Sequence, residues 1–322
     1  MNLAAGAGAF ELVVARRSAA AQRSVALELA APDGSELPPW QPGCHIDLLL
    51  PHDGGEWVRQ FSLCGPLQER RRWRIVVHRE AHSRGGSAYL CDQVVAGQGL
   101  RVRGPRNNFP FTPAPRLTLL AGGIGITPLL PMAEAAQAAG CDWRLIYLAR
   151  SEAEMSLLPE IRGLPAERVR LHASGTKGRL DLAVWRRGLA AGEAVYACGP
   201  LRLLDDLEKL ADAGPPWQLH LERFENPNAQ LGEQHGFEVV LARSGRSVRV
   251  AGDESILEVL LREGMDLDCS CRDGVCGSCE QRVLQGQPDH RDAVLTAEER
   301  REGKHMMICV SRALTPSITI DL

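Results

Sequence analysis

Cys271-Arg-Asp-Gly-Val-Cys276-Gly-Ser-Cys279 is the stretch on which the reading of this chain turns. Its three cysteines are spaced C-x4-C-x2-C, and Cys309 follows after 29 intervening residues. That spacing delivers four thiolates to a [2Fe-2S] cluster. Gly274 and Gly277 give the loop the permissive backbone it needs to wrap a cluster and turn its amides toward the sulfurs. Cys269 breaks the pattern, since counting from it to Cys276 gives C-x6-C, and it reads as a neighbour of the site. Four thiolates also suit tetrahedral zinc, but structural zinc sites usually use two C-x2-C knuckles and this stretch has one.

The stretch Cys271 to Cys279 resembles the cluster loop of plant-type ferredoxins, and Ile308-Cys309-Val310 resembles the strand that returns the fourth ligand. The resemblance covers residues 237 to 322 and implies an α+β, β-grasp ferredoxin domain there. A cluster of this kind moves one electron at a time, so the preceding sequence must say where electrons come from.

Working outward, residues 10 to 104 read as short strands punctuated by Pro and Gly: Phe10 to Ala15, Val25 to Leu29, His45 to Leu50, Val58 to Leu63, Trp73 to His78 and Gly99 to Arg103. With one short helical piece, Gly85 to Val94, this density of strands predicts an antiparallel β-barrel. From Leu117 the pattern alternates. Strands are expected at Leu117 to Ala121, Trp143 to Ala149, Val169 to His172, Glu193 to Ala197 and Trp217 to Leu221, with helices at Thr127 to Ala139, Glu152 to Arg162, Leu180 to Arg187 and Leu201 to Ala213. Such alternation predicts an α/β parallel sheet that binds ligands at the carboxyl ends of its strands. The expected organisation is 1–112, 113–226, a polar linker at 227–236, and 237–322.

Arg59-Gln60-Phe61-Ser62-Leu63 lies on a predicted barrel strand, where Arg59, Phe61 and Leu63 share one face and Ser62 takes the other. A flavin needs a cation for its phosphate, a flat ring near its isoalloxazine and a hydroxyl near N5; this segment has all three, although alone it is also an ordinary strand. Val77-His78-Arg79 ends a second strand. Arg84-Gly85-Gly86-Ser87 opens a short helix whose first amides form an anion site, with Arg84 and Ser87 adding donors.

At this point the chain resembles the ferredoxin reductase superfamily, in its phthalate dioxygenase reductase and vanillate O-demethylase reductase branch, over essentially all 322 residues. The resemblance implies that Arg59, Phe61 and Ser62 hold flavin, with Phe61 standing where tyrosine is usual, and that an Arg-Gly-Gly-Ser phosphate site with the iron-sulfur module last goes with FMN rather than FAD.

Gly122-Gly123-Ile124-Gly125-Ile126-Thr127-Pro128 follows the first strand of the parallel sheet as a glycine turn and helix start. Glycines let a pyrophosphate approach the backbone, and a helix start favours its charge. A plain strand-to-helix turn is the alternative. Tyr196-Ala197-Cys198-Gly199-Pro200 is a second strand end, and it resembles the family's Cys-Gly-Pro motif, which implies that Cys198 sits beside the nicotinamide C4; read without it, Cys198 is a buried strand thiol. In His220-Leu221-Glu222-Arg223-Phe224, the resemblance implies that Phe224 covers the flavin ring and that Glu222 lies near the transfer site, against core packing and a solvated carboxylate as alternatives. Arg150-Ser151 falls where the adenosine ribose is expected. An arginine there accepts a 2'-phosphate or is a surface charge, so the donor is expected to be NADH, with NADPH possible.

Composition bounds the rest. Hydrophobic residues make up 44% of the chain, no apolar run reaches membrane-spanning length, and Met1 to Phe10 lacks a basic n-region, so a cytoplasmic protein is expected. Residues 237–322 carry 15 acidic and 11 basic side chains, net −4, and residues 1–112 carry 13 basic and 10 acidic, net +3. That asymmetry steers an electron-transfer partner or is a solvated face. No basic run interleaved with aromatics argues for nucleic acid. The nine histidines show no ligand spacing and no 2-His-1-carboxylate pattern, so oxygen activation falls to a partner. The resemblance to the phthalate dioxygenase reductase and vanillate O-demethylase reductase branch implies a reductase that passes electrons from NAD(P)H through FMN and the cluster to a Rieske-type, non-haem-iron oxygenase acting on aromatic acids or similar small substrates. The alternatives are a reductase for a cytochrome P450, a free-standing flavin or ferric reductase, or a redox sensor, which would not need both a hydride site and a flavin site.

Overall fold

The computed structural model describes residues 8–322 apart from 53–54, 82–84, 213, 215–216, 230–231 and 233–234. They form three principal sheets, and contacts divide the chain into two compact units, Met1–Glu222 and Arg223–Leu322.

The first sheet is antiparallel, built from β1 (Phe10–Ala21), β2 (Ser24–Ala30), β3 (Cys44–His52), β4 (Gly55–Ser62), β5 (Trp73–His78) and β6 (Gly99–Asn107) in the order β4-β3-β6-β1-β2-β5. Its two end strands, β4 and β5, touch, which curls the sheet into a barrel. Leu12, Leu27, Leu29, Ile46, Leu48, Trp73, Ile75 and Val102 fill the inside. A short helix, α1 (Gly86–Asp92), closes one side through Leu90 and Cys91.

The second sheet is parallel: β7 (Arg116–Gly122), α2 (Ile126–Ala138), β8 (Asp142–Ala149), α3 (Leu158–Arg162), β9 (Val169–Ala173), α4 (Ser174–Lys177), α5 (Leu182–Trp185), β10 (Ala194–Cys198), α6 (Leu201–Asp212) and β11 (Gln218–Glu222). The strand order β11-β10-β7-β8-β9 reverses direction between β7 and β10, which makes their carboxyl ends the switch point where ligands bind such sheets. α2 buries Ile126, Leu129, Leu130, Met132, Ala133 and Ala136 against one face, and α6 covers the other with Leu204 and Leu207.

The crossover expected as one helix over Glu152 to Arg162 is instead a 3-10 turn, Glu152–Glu154, followed by α3. Leu157 adopts left-handed backbone at φ 59° and Pro159 lacks the amide a continuing helix needs, so the chain restarts there. Leu180 to Arg187 is likewise broken into α5, capped by the Asp181 side chain on the Val184 amide, and a 3-10 turn at Arg186–Gly188. Cys64, Val76 and Phe109 pack into the core of the parallel sheet, which is why the first two sheets form one unit.

The second unit is a β-grasp. β12 (Phe237–Leu241), β13 (Arg246–Val250), β14 (Glu280–Gln285), β16 (His305–Met307) and β18 (Ser317–Ile320) form a mixed sheet in the order β13-β12-β18-β14-β16, while β15 (Pro288–Asp289) pairs with β17 (Arg312–Ala313). α7 (Ile256–Arg262) and α8 (Ala297–Glu302) each start on a reciprocal capping box, Ser255 with Glu258 and Thr296 with Glu299, worth about 1 kcal/mol apiece. Arg312, nearly buried, donates to the carbonyls of Glu254, His235 and Ala251 and lies over the Phe237 ring.

Candidate functional site

Gly122, Gly125 and Gly199 meet where β7 and β10 end. A Cβ on Gly125 would stand 2.2 Å from the Cys198 carbonyl oxygen, and one on Gly199 would stand 2.9 Å from the Gly122 Cα. Backbone therefore packs directly on backbone at the switch point. Gly123 has a different reason for being glycine: its φ is 55° and its Cβ would meet nothing, so that side of the turn is open for a ligand. Thr127 holds the turn by donating to the Ile124 carbonyl at 3.0 Å, and Pro128 is buried in the first turn of α2.

Ala121, Cys198 and Glu222 lie in register across the ends of β7, β10 and β11. Cys198 is fully buried, and burial followed by the nearby Glu222 charge holds its thiol well above the usual range. Glu222 Oε2 is buried with no hydrogen-bond partner among the described residues, and desolvation pushes the acid up to about 8. At neutral pH Glu222 is thus a proton-bearing group at the mouth of the sheet. Arg150, exposed, and Ser151 follow β8, and the Arg150 carbonyl accepts from the Gly175 amide at 2.8 Å, so the ends of β8 and β9 adjoin.

On the barrel, Arg59 crosses the start of α1: a Cβ on Gly86 would stand 2.7 Å from the Arg59 Cγ, and one on Gly85, at φ 100°, would run into the Trp57 ring. The Arg59 guanidinium lies 5.8 Å from the centre of that ring. Trp57, not singled out from the sequence, therefore forms the wall of this corner; its Arg59 neighbour two residues on was the available signal. Ser62 is buried and Phe61 half-buried on β4. Leu63 and Val77 are fully buried in the barrel core, leaving their backbone as what they offer a ligand. His78 shares a 3.0 Å hydrogen bond with Ser24, Arg79 is engaged by Asp92, and the Ser87 hydroxyl accepts from the Glu80 amide. Arg84 lies outside the described residues.

In the second unit Cys271 is in hydrogen-bond contact with Cys276 and Cys309, and Cys309 with Cys279. Donation by the Cys276 and Cys309 thiols lowers Cys271, and donation by Cys309 lowers Cys279. Arg272, Gly274 and Gly277 take left-handed backbone at φ 55°, 71° and 71°, wrapping the loop around the sulfurs. The Asp273 amide donates to the Cys271 Sγ at 3.3 Å, and the Ser278 hydroxyl contacts the Cys276 Sγ at 3.1 Å. The thiols touch in pairs. Among the described residues no three His, Cys, Asp or Glu side chains are arranged as ligands of a single ion. Four grouped thiols with amide and hydroxyl donors suit a [2Fe-2S] cluster. Cys269 packs at the edge of the hydrophobic core instead. Phe224 is 41% exposed and lies just past the division between the units.

A nucleotide-type switch point, a flavin-type barrel corner and a cluster loop on one chain define an iron-sulfur flavoprotein reductase. The family of 2Fe-2S iron-sulfur cluster binding domains matches residues 239–314. Over 314 residues the chain is 38% identical to the reductase subunit of a toluene-4-sulfonate monooxygenase system from Comamonas testosteroni, covering 97% of this chain and 98% of that one. Phthalate dioxygenase reductase from Burkholderia cepacia is 35% identical over 321 residues, covering 98% of each chain. The structure of an intact type IV self-sufficient cytochrome P450 monooxygenase superposes on 98% of this chain with a TM-score of 0.86 and 38% identity, and this chain spans 41% of its length. The chain belongs to the phthalate dioxygenase reductase family, a flavoprotein reductase of the ferredoxin-reductase type with a C-terminal [2Fe-2S] domain. It is an NAD(P)H-dependent flavin and iron-sulfur oxidoreductase. No helix among the described residues is long and apolar enough to cross a membrane.

Proposed function

We propose that this reductase is cytoplasmic, holds FMN, and delivers electrons to a Rieske-type non-haem-iron oxygenase acting on an aromatic acid or similar small substrate. The observation that carries the reading is the joining of the glycine switch point and the Arg59–Gly86 corner in one compact unit ahead of a four-cysteine module. Hydride donor and acceptor must meet at near-contact distance, whereas single electrons need only a short path. In this assignment residues 1–112 bind flavin, 113–226 bind nucleotide, and 237–322 carry the cluster beyond the linker at 227–236.

When bound, a flavin and a cluster would supply hydride acceptance from NAD(P)H and single-electron transfer, chemistry that belongs to the cofactors. The chain's own residues supply position and charge. Arg59, with Arg84 and Ser87, would hold the flavin phosphate against Gly85 and Gly86; Phe61 would stack on the ring, Ser62, from the next position on β4, would serve N5, and Leu63, Val77, His78 and Arg79 would frame it. Gly122, Gly123, Gly125, Thr127 and Pro128 hold the pyrophosphate, and Cys198-Gly199-Pro200 holds the nicotinamide. Glu222 keeps a proton at Oε2 there. Cys271, Cys276, Cys279 and Cys309 ligate the cluster.

NADH is the proposed donor, with Glu222 and Cys198 indifferent to the choice. Exposed Arg150 favours NADPH as a second reading, because a guanidinium suits a 2'-phosphate. Comparing kcat/KM for the two donors in Arg150→Ala and the parent protein decides between them. The likeness to a P450 monooxygenase favours a P450 as the other acceptor. Reconstituted turnover tests this: product formed with a Rieske oxygenase supports the proposal, and product formed only with a P450 overturns it. Chromatography of acid-released flavin should give FMN; FAD refutes that part.

A further inference from the structure

The nine-residue cluster loop is held from outside by a residue that carries no ligand atom. Asn226 donates from Nδ2 to the Asp273 carbonyl at 2.8 Å and to the Arg291 carbonyl at 2.7 Å, while its Oδ1 accepts from the Asn228 amide at 2.9 Å. All three bonds go to backbone. Only an asparagine-length amide offers two donors and an acceptor from so short a stem; aspartate lacks the donors and serine has one.

The packing around it explains Gly274. With φ at 71°, a Cβ there would stand 2.8 Å from the Asn226 Nδ2, 2.5 Å from the Val310 Cγ2 and 3.2 Å from the Asp292 Cα. Three segments thus close on one glycine of the cluster loop. The Ala293 amide donates to the Gly274 carbonyl at 2.8 Å, and the Ser311 hydroxyl, two residues past Cys309, accepts from the Arg291 amide at 3.2 Å. Buried Asp292 pins the middle of this segment by accepting from the Val294 and Leu295 amides at 3.0 and 2.8 Å. Residues 291–293 therefore join the loop carrying three cysteines to the fourth, Cys309, which lies not on the expected strand but in the turn 308–310 just after β16, and Asn226 bridges that segment to Asp273.

We propose that Asn226 is a positioning residue for electron delivery: by holding the Asp273 carbonyl it fixes the residue whose own amide donates to the Cys271 sulfur, and it anchors residues 226–228 onto the cluster loop. Only Arg223, Phe224 and Glu225 separate Asn226 from Glu222, the last residue of the first unit. Asn226, the last residue of the expected 113–226 domain, thereby contacts the cluster loop. An N–H directed at a ligand sulfur stabilises the added electron, so loosening Asp273 drives the potential more negative. The proposal rests on the four-cysteine ligand set proposed above.

The test uses full-length holoprotein with Asn226→Asp, which keeps the shape but points an acceptor at two carbonyls, and Asn226→Ser, a milder change. Expected are a more negative cluster potential, altered g values in the electron paramagnetic resonance spectrum of the reduced cluster, and about tenfold faster deuterium uptake in the 271–276 peptide, in line with loss of one good hydrogen bond. Flavin reduction by NADH in stopped flow should match the parent. If Asn226→Asp fails to fold, Asn226→Ser carries the same measurements with smaller shifts in the same direction. Parent-like potential, g values and uptake, with or without a lower Tm, make Asn226 a fold residue and overturn the proposal. A parent protein with no [2Fe-2S] signal refutes the cluster assignment instead.

Discussion

Glu222 is a carboxyl whose chemistry departs far from its type. Its acid is raised by burial to about 8 from an ordinary 4.5, so between those values the folded chain binds a proton that the unfolded chain does not. Stability contributed by that proton is complete below the ordinary value and is lost as pH rises toward about 8. Relative to the parent, Glu222→Gln should therefore gain Tm progressively through this range and hold a constant lead above it. Parallel Tm curves across the range would show that the carboxyl is solvated. At the cluster, Cys276→Ser should abolish the visible cluster absorbance while leaving flavin reduction intact, and Cys269→Ser should leave both. A full cluster in the first, or its loss in the second, contradicts the ligand set. The four cysteines were legible because ligation demands a fixed spacing. Asn226 was not, because a single amide in a polar stretch carries no period, and its role depends on carbonyls brought from residues 273 and 291.

Among elements, the turn from β7 to α2 shows why one glycine motif holds two different constraints. Gly125→Ala forces a Cβ into the Cys198 carbonyl, backbone against backbone with no side chain able to yield, and should cost several degrees of Tm and nearly all NAD(P)H-driven flavin reduction. Gly123→Ala meets open space and costs only the left-handed backbone, about 1 kcal/mol. Thermal melts paired with stopped-flow reduction separate the two; equal losses of Tm would deny the close approach. Most strands with a two-residue period or a buried parallel run were readable to within a few residues, as at Trp73–His78, but β1 runs past the expected Ala15 to Ala21 and β6 past Arg103 to Asn107. The helices after β8 and β9 were not, since Leu157 takes a conformation that tertiary packing imposes and leucine does not advertise.

For the whole molecule, the barrel and the parallel sheet act as one body. The Gln22 amide donates to the Ala153 carbonyl, Arg74 pairs with Glu160 at 2.5 Å, and Tyr196 lies against Phe109 and Phe111. Phe224 falls outside that body by contact and is 41% exposed. If it competes with nicotinamide for the flavin, Phe224→Ala should tighten the nicotinamide complex yet slow turnover by delaying NAD(P)+ release. Cys198→Ala should slow hydride transfer itself with a smaller effect on binding. Unchanged charge-transfer absorbance and turnover in Phe224→Ala would make it an ordinary surface residue.

The order of strands in the β-grasp has a consequence for biosynthesis. β18 sits centrally, between β12 and β14, yet it is translated after both. During synthesis the hydride-accepting body can close while the ribosome is still reading the second unit, whose sheet stays split until Ser317–Ile320 arrive. A message read short of β18 would therefore leave the β-grasp as two separate strand pairs, β13 with β12 and β14 with β16, with no strand to join them.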